Sequence, residues 1–323
     1  MKNRIHLYVS RKNALTWLMA LCMASSAVAR IALSGLKGSG DGPFVWSQIV
    51  LPITAAVLYA LIALLSGEER FYKTAIPVWL MACYAGLAFS GGVDSAYLLY
   101  AARRWGRETR AYYVHSAFQP AFELADARQV ASQCGLPLTV LEVDVLQNET
   151  VAANPPDRCY HCKHSIFSVI LDRARQDGCP LVIDGTNASD DAGDRPGMRA
   201  LRELEVRSPL RECGLTKADV RRLSREAGLP TWDKPAYACL ATRVPTGTAL
   251  TAELLQSVEA AETALAELGF RDFRVRARHG MALVQVTEAQ WSLAAARRDE
   301  LQKRLRPLFE SAALDLVPRT PSE

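Results

Sequence analysis

Three cysteines and one glycine turn carry most of the reactive chemistry in this sequence. Cys159 and Cys162 form a C-x-x-C within Asn154-Pro155-Pro156-Asp157-Arg158-Cys159-Tyr160-His161-Cys162-Lys163, at the start of a helical pattern. Two thiolates at that spacing reach one metal ion or one edge of a cluster. Cys239 stands apart, in Trp232-Asp233-Lys234-Pro235-Ala236-Tyr237-Ala238-Cys239-Leu240-Ala241-Thr242-Arg243. A C-x-x-C alone fits redox, zinc-binding or idle roles. A structural zinc wants four protein ligands and there is no second C-x-x-C, although His161 or His164 could complete a site. Three thiolates without a clear fourth ligand suit a [4Fe–4S] cluster with one open iron. Arg158, Lys163 and Arg243 are expected to lower the nearby thiol pKa values. Cys22, Cys83, Cys134, Cys179 and Cys213 read as small buried hydrophobes.

The second centre is Leu87-Ala88-Phe89-Ser90-Gly91-Gly92-Val93-Asp94-Ser95. Apolar residues lead in as a buried strand, and Tyr97, Leu98, Leu99 and Ala102 lead out at helical spacing. Gly91 and Gly92 let the backbone N–H groups through Val93 turn towards one point without a Cβ in the way. The helix that follows aims its positive end at the same point. Ser90 and Ser95 add hydroxyl donors, and Asp94 can hold a metal or orient the turn. Such a turn is a pyrophosphate site. It is neither the G-x-G-x-x-G of dinucleotide binders nor the lysine-bearing Walker loop.

These residues need strands and helices to hold them, and the pattern supplies an α/β sheet. Strands are predicted at Arg110–His115, Pro137–Val143 and Leu181–Ile183, with helices at Ala121–Cys134 and Ser165–Ala174. The strand ending at Ile183 runs into Asp184-Gly185-Thr186-Asn187-Ala188-Ser189-Asp190, small and acidic residues at the end where open α/β sheets bind ligands. A surface turn has similar composition. Thr216 and Asp219 open a capped helix through Ala227, closed by Gly228-Leu229-Pro230. From residue 245 a small α+β domain is expected. Its helix is Thr251–Leu268, followed by strands Phe273–His279 and Ala282–Val286. A second helix, Glu288–Phe309, and a last strand, Ala313–Val317, complete it.

Residues 1–85 differ in kind. They hold eight Lys/Arg and three acids, leaving 30 basic and 31 acidic residues for 86–323, so the net charge of +4 belongs to this leader. The near-neutral remainder has no electrostatic footprint for nucleic acid. Phe44–Ser66 has no charge and is long enough to span a bilayer, and Ala14–Ala29 is a second apolar run. The basic N-terminus, with two spans, places all that follows in the cytoplasm, anchored to the inner face of the membrane by residues 14–66. Ala27-Val28-Ala29 would also fit a signal-peptide cleavage site, but export would strand nucleotide chemistry. A third run, Thr74–Phe89, is read as an interfacial or packed helix to residue 85. The division expected is thus a hydrophobic leader (1–85), an ATP-binding domain (86–244) and a small α+β substrate or oligomerisation domain (245–323).

The string S-G-G-V-D-S resembles the PP-loop of the ATP pyrophosphatases, which split ATP into AMP and pyrophosphate. Together with N-P-P-D-R-C-Y-H-C-K (154–163), D-G-T-N-A-S-D (184–190), D-R-P-G-M-R-A-L (194–201), R-S-P-L (207–210) and the 228–243 string, it resembles the LarE family of ATP-dependent sulfur transferases. That resemblance implies adenylylation of a substrate carboxylate, attack by sulfur, and a thiocarboxylate product. The substrate implied is the pyridinium biscarboxylate mononucleotide of nickel-pincer cofactor biosynthesis, the cofactor of lactate racemase. ATP and Mg²⁺ would act at Ser90, Gly91, Gly92, Val93, Asp94, Ser95, Gly185, Thr186, Asn187 and Asp190. Some members sacrifice the sulfur of the cysteine matching Cys239; members with cysteines resembling Cys159 and Cys162 look like [4Fe–4S] proteins fed by a sulfide source. Arg243, Arg274 and Arg276 match substrate-binding arginines, and Glu262 matches a family acid. Gln285 departs from an expected glutamate, so no metal site is expected in the last domain. Partners implied are pathway proteins of the lactate racemase cofactor and further copies of the chain. Rival readings are a PP-loop tRNA thiolase, an NAD-synthetase-like amidating enzyme, and a membrane protein with a decayed PP-loop tail.

Overall fold

The computed structural model describes residues 84–105, 108–190 and 195–320. The spans expected within 14–66, and the first part of the third apolar run, lie outside the described residues. Among those described, no helix is long and apolar enough to cross a membrane.

Two sheets organise the chain. The first holds β1 (Tyr84–Ala88), β2 (Glu108–His115), β3 (Leu138–Glu142) and β4 (Leu181–Ile183), all parallel, in the order β3-β2-β1-β4. The tail of the third apolar run is therefore an inner strand, its Leu87 opposite Ala111 and Ile183. A strand paired on both sides and covered on both faces must be apolar throughout, which is why this segment imitates a membrane run.

Alternation along β2 divides the core. Tyr113 faces α1 (Val93–Trp105), α2 (Ala121–Gln133) and α7 (Lys217–Glu226), among Leu98, Leu99 and Val130. Tyr112 faces the other way, onto Phe167, Ile170 and Ala174 of α4 (Arg158–Gln176), with α5 (Pro196–Glu203) beyond. Helix α4 starts seven residues before the predicted Ser165, so the C-x-x-C lies in its first turns. Short helices α3 (Glu149–Ala152) and α6 (Pro209–Glu212) lead into α4 and α7. The predicted cap of α7 is present: the Thr216 hydroxyl accepts from the Asp219 N–H while the Asp219 carboxylate accepts from the Thr216 N–H.

The second sheet is mixed. Strand β5 (Arg274–Arg278) pairs antiparallel with β6 (Met281–Gln285), which pairs parallel with β7 (Ser311–Leu314). Helix α8 (Ala252–Glu267) covers it with Leu255, Val258, Ala261 and Leu265. The single helix expected over Glu288–Phe309 is instead a 3₁₀ turn, α9 (Trp291–Ala296) and α10 (Arg298–Leu305). The break falls at Arg297, whose ψ of 13° leaves the helical region. The last strand begins two residues earlier than expected. The core of this unit also takes in Phe118, Cys162, Ile166 and Cys239.

Candidate active site

The order β3-β2-β1-β4 makes the chain diverge between β1 and β4, and the crevice beyond that point is where α/β sheets bind ligands. Both signature strings sit there. Gly91 has a φ of +74°, a conformation a side chain resists, and a Cβ would meet Ala127 of α2 at 3.2 Å. Ser95 Oγ accepts from the Ser90 N–H at 3.3 Å, lies 3.1 Å from Ser90 Oγ and donates to the Gly92 carbonyl at 3.2 Å. The turn is thus tied to the first turn of α1, the positive end of the helix. Gly185 approaches from β4: a Cβ there would stand 2.8 Å from the Ser95 nitrogen.

Asp94 links the two strings. Its Oδ1 accepts from Asn187 Nδ2 at 3.2 Å and its Oδ2 from Lys217 Nζ at 2.6 Å. Burial pushes its carboxyl above the usual range, against the pull of Lys217. Asp190 caps the Asn187 N–H at 2.8 Å. Buried Asp184 accepts from Ser208 Oγ at 2.6 Å and from the Thr186 hydroxyl at 2.5 Å. A second lysine, Lys234, lies 2.7 Å from Asp126 and 3.5 Å from the Gly91 carbonyl. Neither lysine was singled out from the sequence. Lys217 follows an ordinary helix cap 123 residues from its partner, and nothing local marks it. Lys234 lies inside the 228–243 string, which was the one available signal.

The cysteines meet beside Arg158. Its Nη2 donates towards Cys159 Sγ at 3.7 Å and Cys239 Sγ at 4.0 Å. Its Nη1 is anchored on Asn154 Oδ1 at 2.7 Å and the Ala241 carbonyl at 3.1 Å. Asn154, at a φ of 56°, in turn donates to the Pro245 and Thr248 carbonyls at 2.8 and 3.2 Å. The start of α4 and the Cys239 loop are thereby one assembly. The expected lowering of the thiol pKa values is overturned at Cys162 and Cys239. Burial, with the neighbouring Cys239 and Cys159, pushes the Cys162 thiol up to about 12, and burial raises Cys239 as well despite Arg158. His161 Nε2 lies 3.3 Å from Asp157 Oδ2. Among the described residues, no three His, Cys, Asp or Glu side chains close on a single ion.

Two of the three arginines, Arg243 and Arg274, are buried, and Arg276 is half-buried. Arg243, only 1% exposed, pairs with Glu262 through two bonds of 2.9 and 3.0 Å and donates to the Ala238 and Cys239 carbonyls. Glu262 also accepts from the Val275 N–H at 2.9 Å and from the Tyr237 hydroxyl. Arg243 and Arg274 stack on the Tyr237 ring at 4.5 and 5.2 Å. Arg274 donates to the Ala236 carbonyl, and Arg276 to Gln285 and the Thr242 carbonyl. Burial, with repulsion from Arg243 and Arg319, lowers the Arg274 pKa to about 10. Positive charge thus crowds the edge of the second sheet next to the Cys239 loop.

A pyrophosphate turn at the switch point of a parallel sheet, served by Asp94 and two lysines, defines a PP-loop ATP pyrophosphatase. No protein-family model matches the chain. It is 34% identical over 233 residues to the pyridinium-3,5-bisthiocarboxylic acid mononucleotide synthase of Lactiplantibacillus plantarum, covering 71% of this chain and 84% of that one. An uncharacterized protein of Synechocystis sp. is 37% identical over 205 residues, 63% of this chain and 76% of its own length. A tRNA-specific 2-thiouridylase of Fervidobacterium nodosum matches at 28% identity over 129 residues, 32% of this chain and 37% of that one. The chain belongs to the LarE family of ATP-dependent sulfurtransferases.

Proposed function

We propose that the chain uses ATP to adenylylate a carboxylate of the pyridinium biscarboxylate mononucleotide and exchanges the activated oxygen for sulfur. The supporting observation is the approach of Cys159 and Cys239 to one guanidinium nitrogen, at 3.7 and 4.0 Å, on the same wall as the PP-loop. That wall is residues 118–127. The Phe118 carbonyl accepts from the Leu240 N–H at 2.9 Å, and Ala127 packs on Gly91.

In the first half-reaction the substrate carboxylate attacks the α-phosphorus and pyrophosphate leaves. The loop N–H groups, the Ser90 and Ser95 hydroxyls, Lys217 and Lys234 receive the phosphate charge, and Asp94 and Asp190 would hold a Mg²⁺ ion that offsets it. In the second half-reaction sulfur attacks the acyl carbon, the C–O bond to AMP breaks, and the thiocarboxylate forms. Glu262 and Arg243 hold the Cys239 loop in place. Arg274 and Arg276 are the cations we assign to the substrate's anionic groups.

Cys159, Cys162 and Cys239 would hold a [4Fe–4S] cluster, which would offer an open iron to exogenous sulfide. The donor set fits: three thiols, two of them reaching one guanidinium nitrogen, and among the described residues no three His, Cys, Asp or Glu side chains that close on a single ion. Burial raises the Cys162 and Cys239 thiol pKa values, so binding a metal there would release protons. Pathway proteins of the lactate racemase cofactor, a sulfide donor and self-association complete the proposed partners. The full chain, reconstituted anaerobically with iron and sulfide, is expected to release AMP only when the pyridinium dicarboxylate mononucleotide is present. Substrate-independent AMP release, or none, contradicts the reading. A Cys159→Ala variant that still turns over many times removes the cluster but leaves the transferase.

A further inference from the structure

The N-terminal turn of α2 carries an acid that neither the pyrophosphate turn nor the cysteines use. Glu123 lies between Phe118, bonded to the Cys239 loop, and Ala127, packed on Gly91. It is half-buried, and among the described residues it makes no ion pair or side-chain hydrogen bond. The two cations closest to it in effect, Lys234 and Arg243, are already neutralised. Lys234 sits 2.7 Å from Asp126, and Arg243 is held bidentate by Glu262. Glu123 is therefore a carboxyl group without a partner, in a wall where ATP and sulfur must both reach one carboxylate.

Beside it lies an exposed aromatic surface. Phe122 leaves 45% of its area open, meets Tyr237 edge to face with centroids 5.1 Å apart, and has Lys234 Nζ 5.8 Å from its ring centroid. A large exposed ring next to an unpaired carboxylate suits a flat, positively charged heteroaromatic ligand: the ring face takes the stacking and the carboxylate takes the charge. The proposed substrate has such a ring, a pyridinium carrying the reacting carboxylate directly. A carboxylate that reaches both the PP-loop and Cys239 brings its ring against residues 118–127.

We propose that Glu123, flanked by Phe122 and Tyr237, is the substrate-binding counter-ion of the pyridinium ring and selects it over an uncharged ring of the same shape. This rests on the functional reading above. Burial pushes the Glu123 carboxyl up to about 7, so the charge the ring requires is present above neutrality and lost below it. The groups facing it are Asp126 on its own helix, Lys234 from the loop after α7, Arg243 beside Cys239, and Tyr113 of β2.

The test compares two ligands on the full chain saturated with α,β-methylene-ATP: the pyridinium dicarboxylate mononucleotide and its neutral 1,4-dihydropyridine counterpart. Calorimetry should show the wild type preferring the cation at pH 8, with the preference shrinking at pH 6. Glu123→Gln should lose about tenfold in affinity for the cation, none for the dihydropyridine, and become pH-independent. Glu123→Asp should recover part of the preference. Equal weakening of both ligands, or no change in either, overturns the counter-ion. A wild type that binds neither ligand while still binding the ATP analogue overturns the functional reading, and the counter-ion with it.

Discussion

At the scale of single residues, Glu262 is the side chain on which most depends. It satisfies a buried guanidinium, a buried backbone N–H and a half-buried phenol across the seam between the Cys239 loop and the second sheet. Removing one partner of a buried ion pair leaves the other charge uncompensated. Glu262→Ala is therefore expected to cost about 3–5 kcal/mol in urea unfolding. A loss under 1 kcal/mol contradicts that role. Glu123 makes an opposite prediction. Its native pKa is raised to about 7, so the folded state binds its proton more tightly than the unfolded chain. The stability this contributes is complete below the unfolded value of about 4.5 and is lost as the pH rises to about 7. Glu123→Gln should thus raise the melting temperature relative to wild type at pH 8 and leave it nearly unchanged at pH 4; equal effects at both pH values refute the assignment. The sequence disclosed the six-residue PP-loop because its chemistry is local. It hid Lys217, Lys234 and Glu123, since a lysine or glutamate on a helix looks the same whether it faces water or a phosphate.

At the scale of elements, two close approaches set the site. Strand β4 delivers Gly185 so tightly against the first turn of α1 that a methyl group would stand 2.8 Å from the Ser95 nitrogen. Gly185→Ala should displace one loop from the other. The expected result is a rise of about tenfold in the KM for ATP, with the far-ultraviolet spectrum retained. An unchanged KM would separate Gly185 from nucleotide binding. Asn154 joins α4 to the Cys239 loop through two carbonyls and Arg158, at a positive φ that asparagine tolerates better than most residues. Asn154→Ala should cost about 2–4 kcal/mol and impair iron incorporation into the reconstituted protein. Wild-type stability and iron content would refute the link. Sheet order was not readable from the string, yet β1 and β4 ended where their motifs began, so the switch point could be approached. The long helix expected over Glu288–Phe309 was misjudged because its apolar spacing continues through Arg297, where the backbone turns.

At the scale of the whole molecule, two packed units share one seam. The core of the second sheet reaches through Phe118 and Ile166 to Cys162 and Cys239, so the sulfur side of the site is built from both units. The cysteine string carried family information without any geometry, because convergence of residues 159 and 239 depends on tertiary packing. Burial also reverses the simple expectation that nearby arginines make thiolates: a guanidinium beside a buried sulfur does not offset lost hydration. The central claim, oxygen-for-sulfur exchange driven by adenylylation, is met most directly by mass spectrometry of the product. The full chain, loaded with iron and sulfide, is incubated anaerobically with ATP, Mg²⁺ and the pyridinium dicarboxylate mononucleotide. The account predicts a mononucleotide heavier by one oxygen-to-sulfur exchange, with one AMP formed per sulfur installed. AMP released without any sulfur-containing mononucleotide, under conditions where the cysteines are reduced, would contradict it.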